Sequence, residues 1–226
     1  MTLSRNDSNK TEYMSDIYIL GIGRNTINII ELAEDCGYTI GGLYHYDSTR
    51  NGEIYFGYRI DGSFEDVLEK EDILNKEFAL SMGDINIKAK LYQKIKAKGG
   101  NLPTLIHPSC FVSRYSHIEG GVQILPHSIV EADTFIGEDT TITVNSVIAH
   151  NVRIGQHNLI SGNVMVGAYT QIGNFTHIGQ GSIAVSGKVE KIGDNCILGA
   201  GSVLLSSMPS NCVFAGNPAK FIKENK

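Results

Sequence analysis

From Ile106 to Ile178 every sixth residue is isoleucine or valine, through Val112, Ile118, Ile124, Val130, Ile136, Ile142, Ile148, Ile154, Ile160, Val166 and Ile172. A period of six fits neither the 3.6 of a helix nor the 2.0 of an ordinary strand; it fits a chain that turns one corner per six residues. Three corners close a triangle. Residues 18 apart, such as Ile124, Ile142 and Ile160, then stack on one face at the roughly 4.8 Å spacing of sheet hydrogen bonding. The spacing predicts a prism of short parallel strands.

The other positions of the hexad agree. Glycine often follows the aliphatic (Gly137, Gly155, Gly167, Gly173, Gly179), which suits a tight corner. Four residues after it stands something small or β-branched, as in Ser128, Thr134, Thr140, Ser146, Thr170 and Thr176. The pattern resembles the hexapeptide repeat of the left-handed parallel β-helix, and the left hand comes from that resemblance, since isolated crossovers are otherwise right-handed. The phase slips by two after Ile178 and recovers at Ile192, Leu198 and Leu204, which predicts a surface bulge near residues 186–190.

The repeats fill only the later half of the 226-residue chain, so the earlier half needs a fold of its own. A net charge of −5 without any basic run argues against nucleic acid or an anionic membrane as partner. Cys36, Cys110, Cys196 and Cys212 form no C-x-x-C pair and read as thiols of a reducing cytoplasm, Cys110 and Cys196 on the small core position of the hexad. No apolar stretch approaches 18 residues, so no membrane insertion is expected, and the polar segment 1–14 lacks the apolar centre of a signal peptide. A cytoplasmic protein is the expectation.

Residues 15–103 read as a small parallel α/β unit of Rossmann type, and residues 104–226 as the β-helix with its tail. Asp16–Leu20 is a strand that runs into Gly21-Ile22-Gly23, followed by a helix carrying Ile27, Ile30, Leu32 and Ala33. Further strands are expected at Thr39–Tyr44 and Phe78–Met82, with helices at Phe64–Leu68 and Asn86–Lys98. Ligands of such units bind outside the carboxyl ends of the strands. Thr26 replaces the third glycine of the G-x-G-x-x-G fingerprint and no acidic residue closes the second strand, which argues against NAD.

Taken together, the Gly-x-Gly turn, Gly37-Tyr38, Phe78–Asp84, Leu105-Ile106-His107-Pro108-Ser109, Ser146-Val147-Ile148-Ala149-His150 and Ala215-Gly216-Asn217-Pro218-Ala219-Lys220 resemble the sialic acid O-acetyltransferase family. That family includes the nucleotide-amino-sugar N-acetyltransferases of the bacillosamine pathway. The resemblance covers about residues 16–222. It implies an acetyl-CoA-dependent sugar acetyltransferase of surface polysaccharide synthesis, with His150 as the general base. An imidazole whose ordinary pKa lies near ~6.5 suits proton transfer at neutral pH. The family usually has Asp or Glu after this histidine; here Asn151 follows, and an amide can orient the ring but adds no charge.

The resemblance also implies that acetyl-CoA contacts Leu159, Gln180 and Ala200, with Leu159 standing where the bacillosamine enzyme has a histidine. The nucleotide sugar maps onto Gly23, Arg24 and Asn25, then His45 and Tyr46, then Gly83 and Asp84. His45 and Tyr46 replace a common pair of aspartates and could stack on a base, leaving Asp47 as a candidate carboxylate. His107 is assigned to the domain junction, while His117, His127 and His177 are expected to be solvated. No His-x4-His pair suggests a metal site. Three functions stay open: N-acetylation of a nucleotide-linked amino sugar such as a 4-amino-4,6-dideoxyhexose, O-acetylation of a sialic acid or related sugar, and non-catalytic sugar-nucleotide binding. A homotrimer is expected, with the cofactor groove and His150 between neighbouring prisms.

Overall fold

The computed structural model describes residues 15–70 and 72–225; the polar segment 1–14 lies outside them. The amino-terminal unit runs β1 (Asp16–Leu20), α1 (Thr26–Asp35), β2 (Thr39–His45), β3 (Ile54–Tyr55), β4 (Tyr58–Ser63), β5 (Glu77–Leu80) and α2 (Ile85–Ala97). The sheet order is β3-β4-β2-β1-β5, with β4, β2, β1 and β5 parallel and β3 folded back on β4 as an edge hairpin. The expected strands and the two main helices are present within a few residues. The β3–β4 hairpin was not foreseen, and the helix expected at Phe64–Leu68 is present as a short helical run over residues 64–70, α-type at 64–65 and wider, π-type, at Asp66–Lys70. Ile17, Ile19 and Leu20 of β1 are fully buried, as befits a central parallel strand covered on both sides. From β1 the chain moves one way to β2 and β4, then crosses to β5 on the other side. The order therefore reverses beside β1, and a crevice opens at the carboxyl ends of β1 and β5.

The later residues form a three-faced prism that fits a left-handed β-helix. The first face stacks Leu105–Ile106, Gln123–Ile124, Thr141–Ile142, Leu159–Ile160, His177–Ile178 and Ile197–Leu198. The second stacks Phe111–Val112, Ile129–Val130, Val147–Ile148, Met165–Val166, Ile183–Ala184 and Val203–Leu204; the third runs from His117–Ile118 to Lys191–Ile192. The aliphatics of the hexad face inward and form one continuous core. Ala184 keeps the hexad phase, so the two-residue insertion falls later than Ile178, between Ala184 and Ile192, where Val189 tucks into the core. The small core positions hold hydroxyls that donate to carbonyls of the next coil, Thr134 to Ala149 at 3.0 Å and Ser146 to Ser161 at 2.9 Å. That is how serine and threonine are tolerated in an apolar interior.

The corner glycines act differently from the expectation. The left-handed backbone sits three residues after the aliphatic, at Asp133, Asp139, Asn145, Asn151, His157 and Asn163, residues with short polar or ring side chains. Glycine directly after the aliphatic is instead a matter of space. A Cβ on Gly155 would lie 2.3 Å from the Asn174 side chain and 2.8 Å from the Gly173 carbonyl oxygen of the coil above.

α2 docks on the first face through a buried polar cluster. Lys88 Nζ lies 2.9 Å from Asp139 Oδ1 and donates to the Asp139 carbonyl at 2.8 Å and to Thr141 Oγ1 at 2.9 Å. Asp139 Oδ2 is 2.8 Å from His157 Nδ1. Burial lowers the Lys88 pKa, against the pull of Asp139. His107 joins the units as expected, 3.1 Å from Asp35.

Candidate active site

A cleft of about 640 Å³ opens where the crevice of the amino-terminal unit meets the first face of the prism. It gathers Gly23, Arg24, Asn25, His45, Tyr46, Gly83 and Asp84, all seven residues expected to hold the nucleotide sugar, together with Leu159 and Gln180. Its floor includes Gln123 and Thr141, which the sequence reading did not single out. Gln123 Nε2 donates to the Leu80 carbonyl at 3.0 Å and so ties the end of β5 to the prism.

The glycine turn is shaped by the residue that breaks the fingerprint. Gly21 has φ +94°, and a Cβ there would lie 2.7 Å from Met82 Cε. Thr26, fully buried, fills the place of the third glycine usefully: its Oγ1 accepts from Gly23 N at 2.8 Å, donates to the Gly21 carbonyl at 3.2 Å and stands 2.9 Å from Ser81 Oγ. The turn is thereby locked, and α1 begins at the cleft with no acidic side chain in its first turn. A helix start of this kind favours an anionic group such as a phosphate. Gly23 and Gly83 leave open space where a Cβ would stand.

His45 is buried and accepts at Nδ1 from Asp47 N at 3.0 Å, which leaves its Nε2 as the donor. The exposed Tyr46 ring lies 4.3 Å from it, tilted by 35°. Asp47 is not part of the cleft; it caps the short helix at Ser48–Arg50, and hydrogen bonds from Thr49 hold its carboxyl below the usual range. Asp84 does line the cleft, but its Oδ1 caps α2, accepting from Asn86 N at 2.9 Å and Ile87 N at 3.1 Å. Only its second oxygen is uncommitted in these bonds.

Gln180 belongs to the corner between the first and second faces, with Val144 and Gly162 below it. Ala200 lies on the same corner one coil beyond the cleft, where Gly201 N donates to the Gln180 carbonyl at 2.8 Å. The succession Gly162, Gly179, Gly181, Ala200 and Gly201 leaves this edge low and its backbone approachable.

His150 and Asn151 are elsewhere, on the corner between the second and third faces, and do not line the cleft of their own chain. His150 is exposed. Its backbone N–H donates to Glu131 Oε2 at 2.9 Å, its Nδ1 lies 2.8 Å from Asn151 Oδ1, and the Tyr169 ring stands edge-on to it at 5.4 Å. Asn151 Nδ2 donates in turn to Asp133, whose other oxygen pairs with Arg153 Nη2 at 2.9 Å. Neither Asp133 nor Tyr169 was singled out from the sequence, yet both lie 18 residues from Asn151, one coil away on the same corner.

His177 departs from the expectation of a solvated ring. It is half-buried on the first face, 2.9 Å from Ser161 Oγ, and burial lowers its pKa. Among the described residues no group of three or more His, Cys, Asp or Glu could hold a metal ion, and no helix is long and apolar enough to cross a membrane.

No family model matches the chain. Among solved structures it is similar to perosamine N-acetyltransferase from Caulobacter crescentus, with 26% identity, a TM-score of 0.85 and coverage of 92% of this chain and 97% of that one. That enzyme has been solved with CoA and GDP-perosamine, also in forms with one histidine replaced by asparagine or alanine. The acetyltransferase domain of PglB from Neisseria gonorrhoeae, solved with acetyl-CoA, has the same fold at a TM-score of 0.83 and 24% identity, covering 92% of this chain and 98% of that one. The resemblance to hexapeptide-repeat sugar acetyltransferases holds in three dimensions over nearly the whole length of both chains.

Proposed function

We propose that this chain transfers the acetyl group of acetyl-CoA to the amine of a nucleotide-linked amino sugar, with a 4-amino-4,6-dideoxyhexose as the sugar. The observation that carries this reading is the single cleft that joins the nucleotide-sugar residues of the parallel unit, which we read as Rossmann-like, to Leu159 and Gln180 of the prism. The complex of the similar perosamine enzyme with CoA and GDP-perosamine supports it.

Acetyl-CoA supplies the acetyl group as a thioester, already activated toward attack by an amine. The chain's own task is to hold the two substrates in line and to take up a proton. The start of α1 and the open backbone at Gly23 and Gly83 would receive the diphosphate, His45 and Tyr46 the base, and the low edge at Gln180 and Ala200 the pantetheine arm. His150 Nε2 then accepts the proton that the amine loses on attack; as the N–C bond forms the thioester C–S bond breaks, and that proton passes to the departing CoA sulfur. The attack is direct, without an acyl-enzyme: no cysteine lines the cleft, and burial raises the pKa values of Cys36, Cys110 and Cys196, the reverse of an activated nucleophile.

His150 and the cleft lie on opposite edges of the second face. The outward residues of that face form an apolar stripe, Phe111, Ile129, Val147, Met165, Ile183 and Val203, with Phe111 62% and Met165 46% exposed. The third face carries His117, Arg153, Gln171 and Lys191 instead, with Phe135 as its one apolar outward residue. Packing copies through the stripe sets the His150 edge of one chain beside the cleft edge of the next. A closed ring of three gives three equivalent sites, each with a wall from two chains. We place the trimer in the cytoplasm, where its thiols stay reduced.

Mass spectrometry of products formed from acetyl-CoA with GDP- and UDP-linked 4-amino-4,6-dideoxyhexoses, beside sialic acid, tests the reading. Acetyl gain on the sugar amine is the expected result. Gain on a sialic acid hydroxyl alone would establish O-acetylation, and nucleotide-sugar binding without any transfer would establish a non-catalytic role.

A further inference from the structure

We propose that Asp133 is a positioning residue for His150, acting through the side chain of Asn151; this rests on the reading of His150 as the proton acceptor. Asp133 and Asn151 both have left-handed backbone, at φ +53° and +59°, and occupy the same place on successive coils. Asn151 N donates to the Ala132 carbonyl at 3.1 Å, so the coil-to-coil register fixes one residue above the other. Their side chains meet by construction of the fold.

The chemistry of the amide then sets the imidazole. An ionised carboxylate only accepts, so the Asn151 edge facing Asp133 must be its NH2. The opposite edge, its Oδ1, faces His150 Nδ1 at 2.8 Å and can only accept there. His150 Nδ1 must therefore carry the proton, and Nε2 is left with its lone pair free. Without Asp133 the amide could rotate end for end, offer its NH2 to Nδ1, and place the proton on Nε2, where it would block proton uptake. A base in the wrong tautomer is a poor catalyst even when its geometry is intact. The remaining groups around the ring leave this logic unchanged. Glu131 is engaged by the His150 backbone, the Tyr169 ring stands perpendicular to the imidazole, and Arg153 pairs with the other oxygen of Asp133.

Asn151 thus restores, at one remove, the carboxylate that directly follows the histidine in the family this chain resembles. Asp133→Gly is the test substitution, because glycine accepts the left-handed backbone without strain and removes the acceptor. The tautomer of His150 is read from long-range proton–nitrogen NMR spectra of the full chain with labelled histidine, assigned by the spectrum of His150→Ala. The expected result is Nδ1–H in the unmodified protein and a shift toward Nε2–H in Asp133→Gly. With it goes a drop in kcat on the order of ten- to a hundredfold, the weight of a hydrogen bond to a charged group, with KM for both substrates unchanged. Adding Asn151→Asp to Asp133→Gly puts a carboxylate directly on Nδ1 and should return kcat to near its original value, which also shows that Asp133→Gly folds. An unchanged tautomer in Asp133→Gly overturns the proposal, as does unchanged kcat where His150→Ala abolishes transfer. Should His150→Ala leave transfer intact, the role of His150 itself falls, while the tautomer still decides whether Asp133 orients the ring.

Discussion

Asp139→Asn should uncouple the two halves of the chain by leaving one charge buried without its counterion. Lys88 is 4% exposed, and every hydrogen of its ammonium group is directed at Asp139 or Thr141. Asparagine suits the left-handed backbone of position 139, at φ +57°, so the substitution removes charge and leaves the coil intact. Breaking a buried pair from one side costs about 3–5 kcal/mol. Unfolding in urea at fixed protein concentration should show a loss of that size at pH 7. The loss should shrink as pH rises. Burial depresses the folded-state pKa of Lys88 against the pull of Asp139, and removing Asp139 depresses it further, whereas the unfolded lysine keeps its proton to near 10.5; as pH rises the variant's buried lysine therefore gives up its proton first, and the variant regains stability before the unmodified protein does. Lys88→Met together with Asp139→Asn should recover much of the loss, since neither charge then remains. A loss below about 1 kcal/mol at pH 7, or one that does not shrink as pH rises toward 10.5, would refute the reading of Lys88 and Asp139 as a buried ion pair.

Two further outcomes follow from single residues. Gly83→Trp adds a side chain where a Cβ meets nothing within 4 Å, so it should leave thermal stability unchanged while raising KM for the nucleotide sugar by at least about tenfold; an unchanged KM would place the sugar elsewhere. His177 has a folded pKa lowered by burial, so the unfolded chain takes up a proton first as pH falls below about 6.5, and stability should decline there. His177→Gln should flatten that decline in a series of unfolding curves, and an unaltered slope would assign it to other groups.

Much of this architecture is legible in the chain because the β-helix makes distance in sequence a coordinate in space. Six residues advance one corner and 18 advance one coil, so Gln180 and Ala200 on one edge and His150 on another follow from counting. Asp133 beneath Asn151 follows from the same count, since it lies 18 residues earlier; that their side chains meet, and that this carboxylate stands in for the missing acidic neighbour, does not. The role of the corner glycines was misread for a related reason. A strained turn and a close approach of coils both select glycine, and only backbone angles tell them apart. Lys88, Asp139 and His157 were out of reach, because their pairing depends on how α2 lies against the prism, which no periodicity encodes. The β3–β4 hairpin was missed because Gly57 and the charged, exposed Arg59 and Asp61 interrupt the apolar pattern of β4.

In the proposed trimer the cleft of one chain meets His150 of the next, and complementation tests that directly. One preparation carries His150→Ala and the other Gly83→Trp; each is first assayed alone for acetyl transfer to the nucleotide-linked amino sugar, then the two are unfolded, mixed and refolded together. At nucleotide-sugar concentrations well below KM each alone should be impaired, His150→Ala by about 10²–10⁴-fold in kcat and Gly83→Trp by at least about tenfold in kcat/KM. Mixed trimers should regain a substantial fraction of activity, because some interfaces pair an intact cleft with an intact histidine from the neighbour. Mixtures no more active than their components would contradict the shared site.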